Sequence, residues 1–213
     1  MNAKSPPSKI QKLHELSRDI PEGQELDRAW KEIHEGSDTA SVLLASAWID
    51  RNLEESIRQR FCSVLKKDER DEIFGLGGLL LDFRAKVDIG YALGIFGPVT
   101  KNALAIIGKI RNAFAHSPRV LGFSTPRVAI ECQKLAVLIP AYKQVAELEL
   151  SDMPSEGNDA RSQYLDCCLT IVMALLVDQN KRAEATASRA RLTGLARYAS
   201  TDVSTNDEYR LIP

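Results

Sequence analysis

The chain has 213 residues, of which 44% are hydrophobic, 27% charged and only 6% aromatic, and its formal net charge is −1. That length and balance suit one soluble domain with a real core, and near-neutral charge excludes a bulk positive field for nucleic acid. Few aromatics, with Ala and Leu leading the apolar set, favour helix packing over a β-sandwich. We therefore expect an all-α fold, a single bundle of about six to eight helices.

In chain order, Pro6, Pro7 and Ser8 discourage regular structure, so residues 1–21 are expected to form a flexible segment before a helical domain over 22–199. Leu26, Trp30 and Ile33 make one apolar stripe over 22–35. Asp38 or Thr39 is expected to cap a long helix buried along Val42, Ile49, Leu53, Ile57, Phe61 and Val64. Its other face, with Asp50, Arg51, Glu54, Glu55, Arg58 and Gln59, reads as solvated. The charge run Lys66 to Glu72 reads as a solvated turn.

Phe74-Gly75-Leu76-Gly77-Gly78-Leu79 lacks the Lys-Ser/Thr of a phosphate loop and the preceding strand of a dinucleotide fingerprint. It is expected to be a tight loop starting a helix over Leu79 to Leu93, with Asp82 and Lys86 paired at i, i+4 and Gly94 ending it. Thr100 is expected to cap the next helix, which buries Ala103, Ile107, Ile110 and Phe114 and stops before Pro118. Another helix starts at Pro126, buries Val128, Cys132 and Leu135, and is kinked at Pro140. After a polar loop at 151–158, Asp159 starts a helix buried along Tyr164, Cys168, Ile171, Leu175 and Leu176. The Arg-rich stretch from Lys181 forms one last helix to about Arg197, and 200–213 is a frayed tail.

The longest apolar run, Leu165 to Val177, falls short of the about 18 residues a membrane span needs. No signal sequence is evident at the N-terminus. Cys62, Cys132, Cys167 and Cys168 form no CxxC pair and read as free thiols in a reducing cytoplasm. His14, His34 and His116 are scattered, so neither a metal site nor a cofactor is expected.

One constellation suggests chemistry: Ile110-Arg111-Asn112-Ala113-Phe114-Ala115-His116. At about 100° per residue, Arg111, Asn112 and His116 share a polar arc while Ile107, Ile110 and Phe114 face the core. His116 falls in the last turn, where the helix dipole favours a cation. An arginine fork can hold phosphoryl oxygens, and a histidine can move a proton on or off a ribose hydroxyl. The simpler account is that the histidine caps carbonyls and the arginine pairs with a carboxylate.

Arg111-Asn112-x-x-x-His116 near a helix end in a helical chain resembles the signature of the HEPN superfamily. More specifically, the chain resembles the mannitol operon repressor family. The resemblance rests on the long helix Val42 to Phe61 with Asp50-Arg51-x-x-Glu54-Glu55, the glycine loop and helix from Phe74 to Gly94, and Ile110 to His116. It covers roughly residues 40–122 and extends more weakly over 160–182.

The resemblance implies an all-α, homodimeric, regulator-like binding protein acting in transcriptional repression of sugar-alcohol operons, through protein partners or an uncommon DNA contact. A local basic patch, Lys181, Arg182, Arg189, Arg191 and Arg197 against Glu184, would serve such a contact. The alternative is a metal-independent RNase of the HEPN kind. His116 would then be the acid or base, Arg111 the transition-state stabiliser and Asn112 the orienting group, with two copies of the motif meeting across the dimer. A third reading is a structural domain whose Arg111 is buried and bonded to Glu54 or Glu55.

Overall fold

The computed structural model describes residues 24–61, 66–136 and 159–204. The N-terminal segment, the Pro140 kink, the polar loop before Asp159 and Cys62 lie outside these ranges. Among the described residues there are seven helices and no strand, so the fold is all-α as expected. They are α1 (Gln24–Glu35), α2 (Asp38–Arg58), α3 (Lys67–Phe74), α4 (Phe83–Ala92), α5 (Pro98–His116), α6 (Pro126–Ala136) and α7 (Ala160–Ser204).

The central helix is α2, packed against α1, α4, α5 and α7, while α6 rests on α5 and α7. Val42, Ile49, Leu53 and Ile57 recur at three- or four-residue multiples and are fully buried, the stripe that holds α2 at the centre. Neither expected cap of α2 is used. Ser37 is the N-cap, its hydroxyl accepting from the Ala40 N–H at 3.2 Å. Asp38 is drawn into a long-range junction instead. Its carboxylate accepts from the Phe123 N–H at 2.9 Å and from Arg161 at 2.6 Å. The other guanidinium nitrogen of Arg161 donates to the carbonyls of His34 and Gly36 and to the Ser41 hydroxyl. One side chain on the first turn of α7 thus ties down the α1–α2 corner.

The helix α2 stops at Arg58, earlier than Val64. Its end tightens through Arg60 N–H to Ile57 O and Phe61 N–H to Arg58 O, three-residue bonds common at helix ends. The charge run that follows is a helix and not a turn. Glu69 reaches back to accept from the Lys66 N–H at 2.8 Å. The apolar end of α3 anchors it: Phe74 is buried and its ring lies 5.7 Å from that of Phe61.

The glycine loop is tight, and two of its glycines are required. Gly77 has φ of +82°, a left-handed conformation that side chains disfavour. A Cβ on Gly78 would stand 2.3 Å from the carbonyl oxygens of Glu72 and Ile73. The loop runs further than expected, leaving Leu79 exposed and outside any helix. Asp82 then caps α4, accepting from the N–H groups of Arg84 and Ala85. It does not pair with Lys86, which turns inward. Gly94, at φ +65°, ends α4 as expected. Ile95 N–H bonds to Gly90 O and Gly94 N–H to Tyr91 O, the paired bonds of a Schellman motif.

Pro98 opens α5 two residues before Thr100, which is buried within the first turn and does not cap it. Ser117, extended before Pro118, closes it. Pro126 opens α6 as expected, and Val128, Cys132 and Leu135 are buried.

Asp159 caps α7, accepting from the N–H groups of Arg161 and Ser162. Tyr164, Cys168, Ile171 and Leu175 are buried as expected, but Leu176 is exposed. The expected break at Lys181 is absent, and α7 is one helix of 45 residues. Its last anchors on α2 and the turn beyond are Gln179, which donates to Asn52 O and Ser56 Oγ, and Asp178, which accepts two bonds from Arg60. This helix is more apolar than the sequence reading allowed. Ala160–Ala185 has a mean hydropathy of 1.4 over its best window, long and apolar enough by composition to cross a membrane, with 39% of that window buried in the fold. The buried part is the face that docks on α2 and α6.

Cys132, Cys167 and Cys168 are free and buried. Burial, with Glu131 nearby, pushes the Cys132 thiol up to about 12. Burial, with Asp166 and Cys132 nearby, does the same to Cys167, up to about 12. Burial raises Cys168 well above its ordinary value. Because the thiolate is the nucleophile, iodoacetamide at pH 8 should leave these three cysteines unlabelled in the native protein and label all three in guanidinium. Peptide mass spectrometry reads the result site by site.

Candidate functional site

Helix α5 is held by Ala103, Leu104, Ile107, Ile110 and Phe114, all buried. Arg111 is half-buried on the opposite arc, and Asn112 and His116 are exposed. Arg111 makes no ion pair with any described residue, so the expected bond to Glu54 or Glu55 is not formed. Arg111 and Asn112 open onto a groove between α4 and α5 of about 480 Å³. His116 lies beyond that groove, one turn further along α5.

The groove floor is apolar, formed by Phe83, Val87 and Leu104. Its charged lining is Asp82, Arg84, Asp88, Lys101, Lys109 and Arg111. The two helices run in opposite directions along it. At one end Lys101 of α5 meets Asp88 of α4 at 2.8 Å; at the other the Phe83 ring covers Gly108, where a Cβ would come within 3.3 Å. The hydrogen bond from Lys101 and its charge hold the Asp88 carboxyl below its ordinary range. Arg84, Lys109 and Arg111 have no ion-pair partner among the described residues. Four cations against two carboxylates leave a local excess of two positive charges. Among the described residues no cluster could hold a metal ion.

The α4 wall is fixed from behind by ion pairs. Lys86, 4% exposed, donates to Asp50 at 2.9 Å and to Glu54 at 3.0 Å. Glu54 also accepts from Arg58 at 3.0 Å and faces Arg51 at 3.6 Å. Arg58 in turn bonds Asp71 of α3 at 2.8 Å and lies 4.3 Å from the Phe74 ring centre. The face of α2 expected to be solvated is therefore the seam to α3 and α4. Burial pushes the Glu54 carboxyl up, but Lys86 and Arg58 outweigh it and hold it below its ordinary value.

The expected basic patch lies apart from this groove, on the far part of α7. Lys181 and Arg182 are exposed there, and Arg182 approaches Asp178 at 3.7 Å. Arg189, Arg191 and Arg197 belong to the same helix, but their side chains lie outside the described residues.

Sequence reasoning found Arg111 and Asn112 but missed Arg84, Lys101 and Lys109. The signal was present in part: Lys101, Ala105, Lys109 and Asn112 follow one another at three- or four-residue steps along α5. Their meeting with Arg84 and Asp88 depends on how α4 folds back, which spacing alone does not give. Comparison of the chain with models of protein families, with curated proteins and with solved structures finds no match.

Proposed function

We propose that this is a regulator-like helical binding protein, acting in transcriptional repression from the cytoplasm, as a homodimer and without catalysis of its own. The observation that supports this most is the split of the Arg-Asn-His arc. The guanidinium of Arg111, without an ion-pair partner among the described residues, faces a cationic groove, whereas His116 lies outside it. Within one chain, the group that would grip a phosphate and the group that would move a proton do not line a common cleft. That arrangement suits recognition of an anion better than cleavage of a phosphodiester. The resemblance to the mannitol operon repressor family supports the regulatory role and the dimer. The free thiols support the reducing compartment.

The test is transcript profiling of a deletion strain. A small set of transcripts should rise and return to basal level on complementation with wild type and with His116→Ala alike. Unchanged transcripts, or failure of only the His116→Ala strain to complement, would overturn the reading.

One observation favours the RNase alternative. Among the described residues Arg111 has no ion-pair partner, and His116 is exposed, so both side chains reach solvent and two copies of the motif can meet across a dimer. The structural reading loses its main support, because Arg111 makes no ion pair with Glu54 or Glu55.

A further inference from the structure

We infer that the groove between α4 and α5 is a binding site for a compact phosphate dianion, free or as a small phosphate monoester. The effector role of such a ligand rests on the regulatory reading above; the binding itself does not.

Three observations carry the inference. First, Arg84, Lys109 and Arg111 line one groove without an ion-pair partner among the described residues. Like charges held together repel, and an anion bound among them relieves that repulsion while accepting charge-assisted hydrogen bonds. The arginine forks suit phosphate oxygens, and Lys109 adds a point charge. Asn112 beside them offers an amide that donates to an oxygen or a hydroxyl.

Second, the size is right for a metabolite. A volume of about 480 Å³ lies within the roughly 300–1,000 Å³ usual for small-ligand sites. The floor of Phe83, Val87 and Leu104 gives the carbon body of an ester an apolar surface.

Third, carboxylates interrupt the cationic lining. Asp88 sits at one end, already joined to Lys101, and Asp82 lies at the α4 N-terminus, its carboxylate turned to the Arg84 and Ala85 amides. A nucleic-acid strand following the groove would carry its phosphates past both. Phosphate-tracking surfaces present continuous positive charge, and this chain has a net charge of −1. Two carboxylates among four cations break the positive track that a strand would need, whereas a short dianion needs only the cations it touches.

The test is titration calorimetry of the full chain with inorganic phosphate, glycerol 3-phosphate and a 12-nucleotide single-stranded RNA, at fixed ionic strength. Arg111→Gln and Lys109→Gln are the site variants. Lys31→Gln, on the exposed face of α1, is the control, and circular dichroism confirms that each variant is folded. The expected result is saturable binding of one phosphate ligand per chain, weakened about tenfold in either site variant and unchanged in Lys31→Gln. Glycerol 3-phosphate binding tighter than phosphate identifies an ester as the ligand; equal affinities identify the free anion.

Three results would overturn the inference: no saturable binding of either phosphate, equal weakening in Lys31→Gln, or RNA binding more tightly than both phosphates through Lys109 and Arg111. Phosphate binding with unchanged transcripts in the deletion strain would remove the regulatory reading and leave the site standing. The reverse pattern would remove the site alone.

Discussion

Lys86→Met should lower the stability of the folded chain by about 3 kcal/mol, because it leaves Glu54 buried without its main counter-charge. For a domain of this size that corresponds to a fall of roughly 10 °C in Tm. Arg58 and Arg51 still face Glu54, which places the loss at the lower end for a broken buried pair. The double variant Glu54→Gln/Lys86→Met should lose less than the sum of the two single losses, since it removes both charges together. Urea unfolding of the four proteins measures this directly.

The same pair sets part of the acid limb. The folded-state pKa of Glu54 is held below its unfolded value. Its contribution is therefore complete above the unfolded pKa, near the ordinary value of 4.5. It is lost as pH falls through the lower folded value. In Lys86→Met the folded value rises, so the variant should begin to unfold at a higher pH than wild type. An acid titration followed by circular dichroism shows the shift, and coincident acid limbs would mean that Lys86 does not hold Glu54 ionised.

Tyr164→Ala should cost about 3–5 kcal/mol, as for other buried aromatic truncations. Tyr164 is fully buried where α7 crosses α2. Its ring lies 5.6 Å from that of Phe123, and its hydroxyl stands 3.4 Å from the Val42 carbonyl oxygen. Tyr164→Phe keeps the ring and removes only the hydroxyl's long contact with the Val42 carbonyl and its hydrogen bond with the Cys168 sulfur, so it should cost about 1 kcal/mol. Guanidinium midpoints of the two variants separate packing from hydrogen bonding. Equal losses would mean that the hydroxyl, and not the ring, anchors α7.

The buried stripes were legible because they are local. Val42, Ile49, Leu53 and Ile57 announce α2, and Ala103, Ile107, Ile110 and Phe114 announce α5, through helical spacing alone. Gly94 and Pro118 marked helix ends for reasons contained in their own backbones. The face of α2 bearing Glu54 was misread because its partner Lys86 lies 32 residues away. A charged stripe looks solvated until complementary charges from another helix cover it. Lys66 to Glu72 misled in the same way: its charges hid a cap at Glu69 and an anchor at Phe74. Asp38 was diverted from capping by Arg161, 123 residues away.

For the site, the polar arc of α5 was readable, and its division was not. Residues at 111, 112 and 116 share a wheel sector, but a wheel discards position along the axis. Only the α4 wall shows that the groove takes Arg111 and Asn112 and leaves His116 outside.

The division of that arc is tested most directly by incubating single-stranded RNA and tRNA in EDTA, at pH 6 to 8, with wild type and with His116→Ala. The expected result is no cleavage by wild type above that of the variant at any pH. Metal-independent cleavage by wild type that disappears in His116→Ala would contradict it. His116 and Arg111 would then act on one phosphodiester, and the protein would be an RNase and not a binding regulator.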